Sequence, residues 1–166
     1  MRAGAVVAAC LLIAGCAATV KESAVQRRAA ESEGGYVFEA SWPDVPKGWY
    51  FESISDVRTD AAGNVYAVDA RACRIKKFDS SGGHLVSWGK KGERNGEFTS
   101  PARLAIDLLG NVYVADAAAN RIQKFDADGK FLLKWGSFGS GNGEFISPSG
   151  IAVCNDGKVY VSDGGN

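Results

Sequence analysis

Three aspartates, Asp69, Asp116 and Asp163, stand 47 residues apart from one another in this chain. The same interval separates Arg74 from Arg121, Phe78 from Phe125, Trp88 from Trp135, Glu97 from Glu144 and Pro101 from Pro148. It also relates three turn glycines, Gly63, Gly110 and Gly157. A period that carries turn glycines along with apolar positions constrains the fold more than any composition could. Each period must be one supersecondary unit that cannot bury its apolar faces alone and stacks on a copy of itself.

The second copy, residues 98–135, shows what the unit is. Residues 104–107, 112–116, 121–125 and 131–135 read as four short extended runs, rich in β-branched, aromatic and aliphatic side chains. The boundaries hold Gly110-Asn111, an Ala-Asn link and Asp128-Gly129, residue types that accept the positive φ of tight turns. Four strands joined by tight turns make an antiparallel meander, and repeated meanders of this length are propeller blades. The fold class is therefore all-β, a β-propeller of four-stranded antiparallel blades. The expected blades are 53–98, 99–145 and a partial third, 146–166. Connectors 89–98 and 136–145 return each outer strand to the next inner one. Propellers close with roughly four to eight blades. We accordingly expect an incomplete fragment of about two and a half blades; otherwise, several copies of an untruncated chain would complete a ring as an oligomer.

The blades are preceded by segments of different character. Residues 1–15 carry Arg2 and then an apolar run too short to span a bilayer, as a secretory signal does. Ile13-Ala14-Gly15-Cys16 resembles a bacterial lipobox. That resemblance implies cleavage before Cys16, acylation of Cys16 (diacylglyceryl, with palmitate-type chains) and a lipid-anchored protein of the cell envelope. Ala17 is not acidic, which under the same sorting rules directs it to an outer membrane, facing the periplasm, where one exists. Residues 16–35 are polar and charged and read as a tether. Residues 36–52 read as a lead-in strand and a proline-rich connector.

The repeats carry enough detail to resemble a known family. Gly143-Glu144-Phe145, Pro148-x-Gly150-Ile151-Ala152-Val153, Gly110-Asn111-Val112-Tyr113-Val114-Ala115-Asp116 and Asn120-Arg121-Ile122-Gln123-Lys124-Phe125 resemble the NHL repeat. The resemblance implies a six-bladed propeller in a complete protein. Trp42-Pro43-x-x-Pro46-x-Gly48 ahead of a blade also looks like the opening of peptidyl-α-hydroxyglycine α-amidating lyases, whose propeller holds zinc on three histidines. The positions that match two of those histidines are Ala102 and Ser149, and the only histidine is His84. One histidine cannot supply such a zinc site, so the lyase activity does not carry over.

Function classes narrow accordingly. The 19 basic and 19 acidic side chains balance, so no bulk field favours nucleic acid. There is no nucleophile–base pair, phosphate loop or zinc-type cysteine spacing. We expect no catalytic residue, no metal and no cofactor in these blades. The recurring aspartates are expected to cap the turn into the third strand, and Arg74 and Arg121 to pair with Asp69 and Asp116. Cys154 falls at the position of Asp60 and Asp107 and reads as a core replacement. Cys73 and Cys154 lie two blades apart, too far for a disulfide. Loop residues that differ between copies are freed from repeat geometry and are the better binding candidates. These are Arg71, Lys90, Lys91, Arg94, Asn95 and Asn142, on connections that emerge at one face. The expected function is a membrane-anchored binding or scaffold module for a protein or an envelope polymer. The alternative is a metal-dependent lyase or lactonase-type enzyme with its site residues in further blades.

Overall fold

The computed structural model describes residues 51–166. The expected signal, the tether and nearly all of the lead-in lie outside the described residues.

The described chain forms two four-stranded antiparallel sheets and one two-stranded sheet, each a sequential meander. Blade one consists of β1 (Ile54–Thr59), β2 (Val65–Asp69), β3 (Arg74–Phe78) and β4 (His84–Trp88). Blade two consists of β5 (Pro101–Ile106), β6 (Val112–Asp116), β7 (Arg121–Phe125) and β8 (Phe131–Trp135). The last sheet pairs β9 (Pro148–Val153) with β10 (Val159–Asp163). The inner strand of blade two thus starts earlier than its apolar run suggested. It begins at Pro101, which is tolerated because it opens the strand.

Registers match between copies. Ile54 pairs with Asp69, Pro101 with Asp116 and Pro148 with Asp163, and each inner strand slips by one residue just after that pair. The extra residues of these three bulges are Ser55, Ala102 and Ser149. A bulge there bends the inner strand and re-aims one side chain. Ala102 and Ser149, the positions matched to zinc histidines, therefore share a special backbone site but carry no metal-binding side chain.

Burial follows the two-residue period of a strand, applied to blades stacked face to face. In β6 every residue is buried, because blade two is covered on both sides. Val112 and Val114 pack with Tyr66, Val68 and Leu104 between blades one and two. Tyr113 and Ala115, on the opposite face, pack against Ile151, Val159 and Val161. In β10 only alternate residues are sheltered, and Tyr160 is 57% exposed.

Aromatic rings bind one blade to the next. Phe125 is fully buried, with Trp88, Phe98 and Phe131 at centroid distances of 6.0, 5.6 and 6.0 Å. Phe98 ends the first connector and packs closely against its beginning. A Cβ on Gly89 would come within 2.6 Å of the Phe98 ring and 2.8 Å of the Cys73 carbonyl. Gly136 makes the same approach to Phe145. Both glycines have positive φ, so the connector closes only with glycine there.

Candidate functional site

In an up-and-down meander the turns between the first two strands and between the last two share one end of the blade. The link from second to third strand and the outer-to-inner connector share the other. The recurring aspartates sit at this connector end, and their partners show what they do. Asp116 is fully buried. Its carboxylate accepts the Thr99 and Ser100 amides at 3.0 and 2.7 Å, and the Arg121 guanidinium at 3.1 and 3.2 Å. Asp69 accepts the Glu52 and Ser53 amides and pairs with Lys76 Nζ at 3.1 Å. Asp163 accepts the Ile146 amide at 2.8 Å. These carboxylates therefore clamp the chain as it enters the inner strand. They do not cap the turn into the third strand, as the sequence suggested. The reason is distance: the inner strand lies beside the second, so its incoming N–H groups are the nearest unpaired donors.

One expected ion pair forms and the other does not. Arg121 pairs with Asp116, but Arg74 is exposed, and Lys76 takes its place at Asp69. Residues 74 and 76 share a strand face, so either can reach the carboxylate. Lys76 also lies 4.4 Å from the Phe51 ring centroid, a cation–π contact that favours it. In blade two the position of Lys76 is taken by Gln123, fully buried. Its side chain donates to the Glu97 carbonyl at 2.7 Å and accepts the Gly96 amide at 2.9 Å. Arg121 donates to the Glu93 and Glu97 carbonyls at 2.5 and 2.9 Å. Blade two thereby grips the first connector.

At the other end of the blades, Asp60 and Asp107 organise the first turn. Asp107 accepts the Leu109 and Asn111 amides, the Asn111 side chain and the Tyr113 hydroxyl. Asp60 repeats this with Ala62, Asn64 and Tyr66. Cys154 holds the third copy of the position but is exposed, so it is a surface turn residue and not a core replacement. Its backbone bonds with Lys158 and Gly157, and the side-chain role passes to Asp156, which accepts the Lys158 amide at 3.1 Å. Cys73 and Cys154 are both free thiols.

These carboxylates make a pH prediction. Burial raises the pKa of Asp60, Asp69 and Asp107, but hydrogen bonds to each carboxylate, joined at Asp69 by the Lys76 charge, outweigh it and hold all three below the ordinary value. A folded pKa below the unfolded one means stability that is complete above the ordinary carboxylate range and lost as pH falls through the folded values. Urea midpoints are therefore expected to fall steeply below about pH 4. Asp107→Asn should lower the midpoint at neutral pH and flatten the acid slope.

The binding candidates all lie on the connector face. Arg71, Lys90, Lys91, Arg94, Asn95 and Asn142 are exposed. The start of the connector lies against the link, since a Cβ on Gly89 would come within 2.8 Å of the Cys73 carbonyl. Lys90 pairs with Glu97 at 3.3 Å, which partly neutralises the expected basic patch. None of the six lines the cleft of about 440 Å³ on this face. It is lined by Glu93, Thr99, Ala118, Ala119, Arg121, Lys134, Gly136 and Ser137. The two sets are related by the repeat. Ala118 stands at the position of Arg71, and Ser137 at that of Lys90. Two lining residues, Ala118 and Ser137, are shorter than their blade-one counterparts, while Lys134 is longer than its counterpart Ser87. The legible signal was this large-to-small exchange between copies. Among the described residues no group of three or more His, Cys, Asp or Glu side chains could hold a metal ion.

Comparison with known proteins agrees with this architecture. The NHL repeat model matches residues 98–125 and 145–166. No curated protein matches the chain. Among solved structures, a protein of Bacteroides fragilis assigned as exported aligns with a TM-score of 0.57 and 18% identity, over 71% of this chain and 32% of that one. Virginiamycin B lyase from Staphylococcus aureus aligns with a TM-score of 0.51 and 16% identity, over 66% and 34%. A chain of the nidogen/laminin complex aligns with a TM-score of 0.52 and 24% identity, over 66% and 39%. The chain spans about a third of the length of these structures, and at such identities the likeness concerns the fold. With the four-stranded meanders, their stacking and the matched repeats taken together, this chain is built from the blades of an NHL-repeat β-propeller.

Proposed function

We propose that this chain is a non-catalytic binding module, exported and anchored to the cell envelope through lipid on Cys16, that holds a protein or an envelope polymer on its connector face. One observation carries the binding role. The recurring polar groups at the connector end are spent on clamping backbone, whereas the cleft arises where blade two departs from blade one. Its lining offers Glu93, Thr99, Lys134 and Ser137 around an immobilised guanidinium, Arg121. That set suits a polar ligand rich in hydroxyl, amide or carboxylate groups. Arg71, Lys91 and Arg94 add positive charge to the same face and favour an anionic partner. The anchor is supported by the Ile13-Ala14-Gly15-Cys16 sequence. Among the described residues no helix is long and apolar enough to cross a membrane.

The test uses solubilised peptidoglycan fragments as the polymer probe and titration calorimetry as the readout. Ser137→Trp fills the cleft without touching the clamp and is expected to weaken binding about tenfold or more. Undiminished affinity in that variant, or no binding of the probe by the native chain, counts against the cleft as a polymer site. Metabolic labelling with palmitate should mark the native protein and not Cys16→Ala; equal labelling would refute the anchor.

A further inference from the structure

Phe138, on the second connector, is 72% exposed. Repeat geometry does not require a ring there. Lys91 holds the same place in the first connector, and it is exposed with the whole of blade two stacked beyond it. The backbone is alike in both copies: Phe138 bridges Phe145 as Lys91 bridges Phe98. This is therefore a surface place in the fold, whatever side chain it carries.

A single exposed apolar side chain is common on protein surfaces; the setting of this one is particular. Phe138 directly follows Ser137, which lines the cleft. The connector starts against the link that supplies Ala118 and Ala119, since a Cβ on Gly136 would lie 2.8 Å from the Asn120 carbonyl. From Gly136 to Gly143 the connector carries no charge and offers hydroxyl and amide groups, Ser137, Ser140 and Asn142, all exposed. The first connector holds Lys90, Lys91, Glu93 and Arg94 over the same span.

An aromatic ring among uncharged hydroxyl and amide groups is complementary to a sugar. Pyranose hydroxyls exchange hydrogen bonds with such side chains, and the C–H groups on one face of the sugar form a flat apolar patch that lies on an aromatic face. We infer that the cleft and Phe138 together take an oligosaccharide, one sugar in the cleft and the next stacked on the Phe138 ring. This names the ligand of the polymer site proposed above and rests on that reading. Adjacent Cα atoms are about 3.8 Å apart, so a chain of two or more sugars that leaves the cleft past Ser137 meets the ring.

The test titrates the full-length protein calorimetrically with peptidoglycan glycan strands stripped of their stem peptides, and separately with the free stem peptides. The native chain is expected to bind the glycan strands and not the peptides. Phe138→Ala should weaken glycan binding about fivefold or more, the loss of one stacked ring, and Phe138→Trp should retain it. Saturating the aromatic proton resonances should transfer magnetisation to the sugar C–H protons in the native protein and markedly less in Phe138→Ala. Glycan binding that is lost in Ser137→Trp but intact in Phe138→Ala overturns the inference and leaves the cleft as a polymer site. Binding of the stem peptides alone also overturns it, again without touching that reading. Binding of neither probe overturns both.

Discussion

Replacing Asp116 by alanine is expected to lower the unfolding free energy by about 3–5 kcal/mol. The carboxylate is fully buried and serves three partners, the Thr99 and Ser100 amides and the Arg121 side chain. Its removal orphans two donors at the entry to the inner strand and leaves Arg121, only 6% exposed, without a counter-charge. Most of the cost comes from the stranded cation. A second change, Arg121→Met, should therefore recover part of the loss, although Arg121 also holds the Glu93 and Glu97 carbonyls. Urea denaturation of the two single variants and the double variant gives the coupling directly. If D116A unfolds within about 0.5 kcal/mol of the native protein, typical of a neutral surface change, the clamp does not act as described.

The second large effect is expected at Phe125. Its truncation to alanine should cost about 3–5 kcal/mol, because a fully buried ring leaves a cavity that the neighbouring rings cannot fill. Trp88, Phe98 and Phe131 converge on it from the outer strand of blade one, the connector and the outer strand of blade two. The variant should also lose near-ultraviolet circular dichroism, since Trp88 would no longer be held in one orientation. Leu132→Ala is the matched control. Leu132 is 44% exposed on the same blade, and its loss should shift stability by less than about 0.5 kcal/mol. A Phe125→Ala protein no less stable than that control would mean that the blades do not stack through this ring cluster.

Much of the fold was legible beforehand. Gly110-Asn111 and Asp128-Gly129 mark turns because few residue types tolerate the required backbone, and that requirement is local. The alternation of Val112, Tyr113, Val114 and Ala115 suits a strand covered on both faces, and all four are buried. The start of β5 was missed because Pro101, Ala102 and Arg103 form a bulged segment with no alternating pattern to read. That Arg71, Lys90, Lys91, Arg94, Asn95 and Asn142 share the connector face was legible from topology. The cleft was not: the exchanges at Ala118 and Ser137 show in the sequence, but that they border one space with Glu93 and Thr99 of the first connector depends on how the blades stack.

What the sequence determined by itself was the period, the strand count and the positions of the turns, since each depends on residues within a few positions of one another. The tertiary structure alone decided which polar groups are partners. Lys76 and not Arg74 answers Asp69, and Gln123 reaches across 26 residues to the Glu97 carbonyl. Such choices depend on distances between strands and blades and on how much water each group loses, and neither quantity is encoded in the 47-residue interval.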